Sequence, residues 1–202
     1  MDETPQLYQE AITTFRALLD DATRNGEPEP TAMTLATSDA NGRVSARMVL
    51  LKGVDERGFV FYTNYESDKG AQLAEHAQLA LCFLWKTVRG GAGVQVRVEG
   101  RVQKTSDAES DAYFASRDRA SQIGAWASTQ SKTLPNRETF YERIAAMEKK
   151  FEGGDVPRPP HWGGYRVVPD LIELWYGQRA RLHERDRYEL RDGVWTKRLL
   201  YP

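Results

Sequence analysis

Arg181-Leu182-His183-Glu184-Arg185 alternates two guanidiniums and an imidazole with other side chains. On a strand, positions i, i+2 and i+4 share one face, so Arg181, His183 and Arg185 would point the same way. Such a set of donors suits a phosphorylated or otherwise anionic small molecule. A solvated edge strand that uses charge to discourage pairing has the same composition. Three further groups carry similar double readings. Arg47-Met48-Val49-Leu50-Leu51-Lys52 has cations at both ends of an apolar run, and an odd and an even position cannot share a face of a regular strand. Either a bulge intervenes, or the two cations serve different parts of one ligand, or they mark the ends of a buried strand. Tyr62-Thr63-Asn64 and Ser67-Asp68-Lys69 put hydroxyls and an ammonium where a strand gives way to a helix, which favours an anion and equally fits ordinary capping. Tyr113, Arg117 and Ser121 recur at four-residue intervals, so a helix running that far would align phenol, guanidinium and hydroxyl, at a site or in solvent. Ser121 to Ser128, followed by Gln130-Ser131, is rich in neutral donors.

Several chemistries are absent. His76, His161 and His183 lack metal-ligand spacing, and the single cysteine, Cys82, sits in the apolar run Leu79 to Trp85, where it makes no intrachain disulfide and no cysteine metal site. No Gly-x-Ser-x-Gly elbow, dinucleotide fingerprint or phosphate-binding P-loop occurs. Redox or group-transfer chemistry would need a borrowed cofactor. Lys+Arg 28 against Asp+Glu 29 gives a net charge of -1, which leaves no basic field for nucleic acid. The start, Met1-Asp2-Glu3-Thr4, is acidic, and no apolar stretch approaches the roughly 20 residues of a membrane helix. A soluble cytoplasmic protein is expected.

The elements that must position these residues can be read from periodicity. Thr4-Pro5 reads as a cap and first-turn proline, with Leu7, Ala11, Phe15, Leu18 and Ala22 at helical spacing until Gly26. Alternation then predicts strands from Ala32, from Val44 to Lys52, and over Phe59 to Thr63. Ser67 is expected to cap a helix through Glu75, and strands follow over Leu79 to Trp85 and Val94 to Gly100 around a flexible Gly90 to Gly93 tip. Helices are expected over Asp107 to Ser116 and Arg137 to Phe151, the second with Phe140, Ile144, Met147 and Phe151 on one stripe. Val156 to Gly164 reads as a stiff proline loop that cannot join a central strand. Strands around Tyr165 to Val168, Ile172 to Tyr176 and Trp195 to Leu200 close the chain. Many strands around few helices suggest an α+β barrel.

Arg47 to Lys52, Phe61-Tyr62-Thr63-Asn64, Ser121-Gln122-Ile123-Gly124-Ala125-Trp126, Gln130-Ser131, Trp162-Gly163-Gly164 and Arg181 to Arg185 occur in an order that resembles the pyridoxamine 5'-phosphate oxidase family, from Glu29 to Pro202. The resemblance favours a site at each open reading above. It implies an α+β, mainly β, FMN-binding split β-barrel with peripheral helices. One domain would span residues 1–202, with residues 1–28 forming a helix packed on the barrel and residues 165–202 completing the flavin and substrate site. The family acts as a homodimer with each FMN between subunits. By this resemblance Arg47, Lys69, Gln130 and Ser131 bind FMN, chiefly its phosphate end, while Met48, Val49, Leu50, Tyr62, Thr63, Gln95, Trp175 and Arg185 surround the rest. Lys52 touches both ligands and, with Tyr113, Arg117 and Ser121, holds the substrate; Arg181 and His183 lie over its pyridine as the catalytic pair. No metal is implied.

The implied reaction converts pyridoxamine or pyridoxine 5'-phosphate to pyridoxal 5'-phosphate, with hydride passing from C4' to flavin N5 and dioxygen leaving as peroxide. Since the flavin carries the hard step, charged anchors rather than acid-base residues dominate the set. Three departures stand out. Asp68 occupies a position where the family usually has arginine. Opposite or like unit charges about 4 Å apart interact by roughly 4 kcal/mol at an effective dielectric near 20, so Asp68 is expected to turn to solvent or to weaken FMN binding. The glycine insertion before Val94 displaces Arg89 from the position just before Gln95, and the family's longer basic N-terminal arm is not seen. Two other readings remain at this level: a related flavin oxidase of another aromatic, as in the phenazine-forming oxidases, and a non-catalytic flavin or pyridoxal-phosphate carrier.

Overall fold

The computed structural model describes residues 4–202, with side chains from Gln6 onward. The chain opens with α1 (Thr4–Arg24), whose Ala11, Ile12, Phe15 and Ala22 form a fully buried stripe. The capping expected of Thr4 and Pro5 falls on side chains outside those described. Phe15 meets Phe59 edge-on with centroids 4.8 Å apart and Phe83 at 5.1 Å, so the stripe is buried against strands. Gly26, at φ +73°, ends the helix in the left-handed conformation that glycine tolerates.

The strands are β1 (Ala32–Ser38), β2 (Val44–Leu50), β3 (Gly53–Asp55), β4 (Gly58–Asn64), β5 (Gln78–Trp85), β6 (Val94–Lys104), β7 (Trp162–Tyr176), β8 (Glu184–Arg191) and β9 (Val194–Leu199). Helix α2 (Asp68–Glu75) precedes β5, and α3 (Asp107–Ala115), α4 (Arg119–Ala127) and α5 (Arg137–Lys150) lie between β6 and β7. Among the described residues the strands pair in one antiparallel sheet, in the order β2-β1-β5-β6-β7-β4-β3, with β8 and β9 added beside β7. The sheet curls into the half-barrel expected of a split barrel. Alternate residues Met33, Leu35, Leu79, Leu81 and Phe83 face the core, as period-two patterning requires. A second apolar cluster, with Phe114, Ile123, Val156 and Trp162 buried, takes in Ile144, Met147 and Phe151 of the expected α5 stripe.

β7 corrects two expectations. It is one strand of 15 residues rather than two short ones, and its register with β6 shifts between Glu99 and Gly100, where Gly100 pairs with Pro169. A bulge absorbs the proline, which has no N-H to give a regular ladder. The strand also begins inside the segment read as a loop: Gly163 pairs with Thr63 and Gly164 with Tyr62. The prolines stop at Pro160, and the two glycines leave room that a Cβ would deny, against Tyr65 at Gly163 and Thr105 at Gly164.

Of the Arg181 pentapeptide only Glu184 and Arg185 lie in a strand, at the start of β8. Tyr176 pairs with Glu184, so the residues between them form the β7-β8 hairpin loop. Arg179 to Leu182 form a tight turn closed by the Leu182 N-H to the Arg179 carbonyl at 3.2 Å, with Ala180 at φ 54° and Arg181 at φ 60° in the left-handed region, and the strand alternation expected of Arg181, His183 and Arg185 is lost. α3 ends at Ala115, close to the expected Ser116, and does not extend to Ser121. Asp118 caps a new helix by accepting from the Ser121 N-H at 2.8 Å, and Gln122 Nε2 donates to the Phe114 carbonyl at 2.9 Å, fixing the break.

Candidate active site

A cavity of about 630 Å³ opens where β2, β4 and the α3-α4 break converge. That is ample for a cofactor-sized ligand. β2 and the residues after it supply Met48, Val49, Leu50 and Lys52; β4 supplies Tyr62 and Thr63; α2 supplies Lys69. From the other side come Tyr113 on α3, Arg117 in the break, Ser121 on α4 and Gln130 beyond it. No continuous helix is needed: across the break all three of Tyr113, Arg117 and Ser121 reach the same space.

Trp162 was quoted in sequence without a role. Its ring runs parallel to Tyr62 at 5.6 Å and Tyr113 at 6.1 Å, while Tyr62 and Tyr113 stack at 3.9 Å. This aromatic wall carries the Arg117 guanidinium, 4.7 Å above the Trp162 ring. Asn64, named in sequence only as part of a motif, also lines the cavity, as do Ser116 and Asp118, which had no sequence signal beyond turn and cap chemistry.

The electrostatics of the cavity are one-sided. Lys69 Nζ donates to Gln130 Oε1 at 2.7 Å, Ser67 Oγ at 3.0 Å and Thr63 Oγ1 at 3.1 Å, all neutral acceptors. Burial first, then the charge of Arg47, pull this ammonium down to about 8. Burial likewise draws the Arg117 guanidinium below its ordinary value, and among the described residues its buried Nη1 has no hydrogen-bond partner. The carboxylate of the cavity, Asp118, is occupied by the Ser121 N-H and, at 2.7 Å, the Ser121 hydroxyl. Cations that form no ion pair among the described residues, beside an aromatic wall, fit ligands that bring their own anionic groups.

Other expected residues lie elsewhere. Arg47 is not in the lining; its guanidinium turns behind the cavity to Thr37 Oγ1 at 2.5 Å and Gln72 Oε1 at 3.2 Å, and burial lowers its pKa. Asp68 is exposed at the start of α2, so the wrong-sign charge faces solvent. Ser131, at φ 69°, borders a smaller hollow of about 270 Å³ that shares Gln130 with the main cavity.

Gln95, Trp175, Arg181, His183 and Arg185 gather at the other end of β7. Trp175 pairs with Gln95 on one side and Arg185 on the other. The His183 ring lies 4.4 Å from that of Trp175, and its Nδ1 takes the Gln178 backbone N-H at 3.1 Å. A backbone N-H only donates, so Nδ1 is bare and the imidazole proton sits on Nε2. Arg89 stacks 4.6 Å over Tyr176 and faces Glu184 at 3.8 Å. Trp162 and Trp175 mark the two ends of the strand. At about 3.3 Å per residue their separation along the strand is roughly 40 Å.

Comparison with known proteins bears directly on this pair of clusters. Residues 19–151, which hold most of the cavity, match a family model described as pyridoxamine 5'-phosphate oxidase. Residues 162–202, which hold most of the second cluster, match one described as the pyridoxine 5'-phosphate oxidase C-terminal dimerisation region. The chain is 59% identical over 197 residues to the pyridoxine/pyridoxamine 5'-phosphate oxidase of Xanthomonas euvesicatoria pv. vesicatoria (strain 85-10), covering 97% of this chain and 98% of that protein. It is 52% identical over 191 residues to the protein of the same name from Myxococcus xanthus (strain DK1622), covering 95% and 91%. Among solved structures, PhzG from Burkholderia lata 383 in complex with tetrahydrophenazine-1-carboxylic acid superposes with a TM-score of 0.87 at 31% identity, covering 95% of this chain and 92% of that one. A pyridoxamine 5'-phosphate oxidase-related, FMN binding protein from Nostoc punctiforme PCC 73102 shares the fold, with a TM-score of 0.70 at 17% identity over 93% and 97%. With its fold, its cationic cavity and its full-length relatives in agreement, the chain belongs to the pyridoxamine 5'-phosphate oxidase family.

Proposed function

We propose that the protein is an FMN-dependent oxidase that converts pyridoxamine or pyridoxine 5'-phosphate to pyridoxal 5'-phosphate and reduces dioxygen to hydrogen peroxide. The observation that carries this reading is the cavity: Lys69 and Arg117 are partly drawn out of water and form no ion pair among the described residues, in a chain whose relatives of more than half identity bear that enzyme's name. Bound FMN would supply the hydride acceptor and the route for electrons to dioxygen. Lys69, with Thr63, Gln130 and Ser131 around it and Arg47 behind, would hold the flavin's phosphate end. Met48, Val49, Leu50 and Tyr62 would flank the rest. Lys52, Tyr113, Arg117 and Ser121 would grip the substrate's phosphate, a remote anchor that orients the reacting carbon. Ser121 now gives its hydroxyl hydrogen to Asp118, so it would have to turn to donate to that phosphate.

Arg181, His183, Gln95, Trp175 and Arg185 are separated from the cavity by most of the length of β7, which supports a homodimer in which each site joins the cavity of one chain to the β7-β8 end of the other. His183 would then offer Nε2-H to the substrate's ring, and Arg181 its guanidinium. The test is anaerobic mixing of FMN-loaded protein with pyridoxamine 5'-phosphate, followed by air. Loss of the flavin's visible absorption and then release of peroxide are expected. Binding with the colour intact would instead leave a carrier, and bleaching only by a reduced tricyclic aromatic acid would favour the second reading suggested by the likeness to PhzG.

A further inference from the structure

Glu173 stands in the middle of β7 with 2% of its side chain exposed. It shares a face with Trp175, two residues on, and so with Gln95 and Arg185 across the register. A carboxylate so far from water must be matched by cations. Its direct cross-strand neighbours are Arg97 and Arg187. Neither takes it fully: Arg187 turns to Glu189 at 3.5 Å, and Arg97 Nη1 stays 3.8 Å from Oε2, which has no hydrogen-bond partner among the described residues. Glu173 instead reaches diagonally to Arg185, whose Nε and Nη2 both donate to Oε1, at 3.1 and 2.7 Å. Arg185 Nη1 donates to the Tyr201 carbonyl at 3.2 Å. A guanidinium has five N-H groups, so two remain, one on each terminal nitrogen.

We infer that Glu173 is a positioning residue for the flavin: it locks Arg185 so that these two N-H groups are presented to the isoalloxazine, and its charge offsets that of Arg185 beside it. The inference rests on the reading that Arg185 lies against FMN. Reduction adds negative charge to the flavin, which a nearby cation stabilises and a nearby carboxylate opposes. Glu173 therefore holds the reduction potential below the value that Arg185 alone would set.

Glu173→Gln keeps the shape and removes the charge. FMN binding, followed by quenching of flavin fluorescence, is expected to weaken about five- to tenfold, and the midpoint potential of the bound flavin to move positive. Glu173→Asp restores the charge on a shorter stem, so its potential should stay near that of the unaltered protein while its FMN affinity falls. Arg185→Met serves as the reference. If it leaves affinity and potential unchanged, the placement of Arg185 fails and the inference falls with it. If Arg185→Met alters them and Glu173→Gln alters neither, the inference alone is overturned. Should Glu173→Gln not fold, Glu173→Asp decides: an affinity equal to that of the unaltered protein refutes the positioning role.

Discussion

The cations that line the cavity near the Trp162 end of β7 and Arg185 near its Trp175 end are partnered in opposite ways. At the Trp162 end, Lys69 is bonded only to neutral oxygens and Arg117 leaves a buried nitrogen unmatched. At the Trp175 end, Arg185 is clasped by the carboxylate of Glu173. The first arrangement is incomplete until an anion arrives. The second is already neutralised, so its arginine acts as an oriented donor rather than as a charge sink. The proposed phosphate-binding and ring-binding poles thus differ in how Lys69 and Arg117 on one side and Arg185 on the other are partnered.

The sharpest way to break this contrast is Arg117→Met. Loss of a buried guanidinium that grips phosphate is expected to cost about 3 kcal/mol, roughly two orders of magnitude in kcat/KM for pyridoxamine 5'-phosphate. The thermal midpoint should not fall, because a buried donor without a partner has been removed. An equal loss with the unphosphorylated amine would detach Arg117 from the phosphate.

Next in size is Lys69→Met, expected to weaken FMN binding by about 2 kcal/mol, roughly 30-fold in a fluorescence titration. In the free protein the ammonium is pulled down to about 8 by burial and Arg47. Phosphate binding favours its charged form, so affinity should be steady below that pH and fall as pH rises through it, by up to about tenfold per unit. Lys69→Arg, which stays charged, should lose this dependence. A flat profile in the unaltered protein would contradict the assignment.

At the ring-binding pole the effects are smaller. Gln at position 183 can place an amide N-H near the site of Nε2, whereas Asn can do so only near Nδ1. His183→Gln is therefore expected to retain about tenfold more kcat/KM than His183→Asn, and the reverse order would show that the tautomer fixed by Gln178 is not the one used. Smallest is Asp68→Arg. Because Asp68 is exposed, replacing it should tighten FMN binding by about two- to fivefold, and an unchanged or weaker affinity would remove Asp68 from the account.

The cavity was largely legible in the sequence. The family resemblance implied Lys52, Lys69, Tyr113, Arg117, Ser121 and Gln130 as binding residues, and all six line it. Ser67 was legible too, its hydroxyl accepting from the Gly70 N-H at 3.3 Å as a cap. What periodicity could not reveal was distance. Two strands were expected over Tyr165 to Val168 and Ile172 to Tyr176, yet the bulge at Gly100 carries one strand through Pro169, and that continuity sets the two clusters far apart. Alternation at Arg181 to Arg185 imitated a strand because local pattern does not report that Tyr176 and Glu184 close a hairpin around it. Glu173 is visible as a lone carboxylate in Leu171 to Trp175, but its choice of Arg185 over Arg187 is a matter of side-chain packing across the register.

The claim that one site needs both ends, from two copies of the chain, is tested most directly by complementation. Arg117→Met and His183→Asn proteins, each feeble alone, are unfolded together in equal amounts and refolded with FMN. Random pairing makes half of the dimers mixed, each with one of its two sites free of both substitutions, so about a quarter of the unaltered activity should return. If the mixture shows no more than the mean of the two separate proteins, both ends act within a single chain and the shared site is refuted.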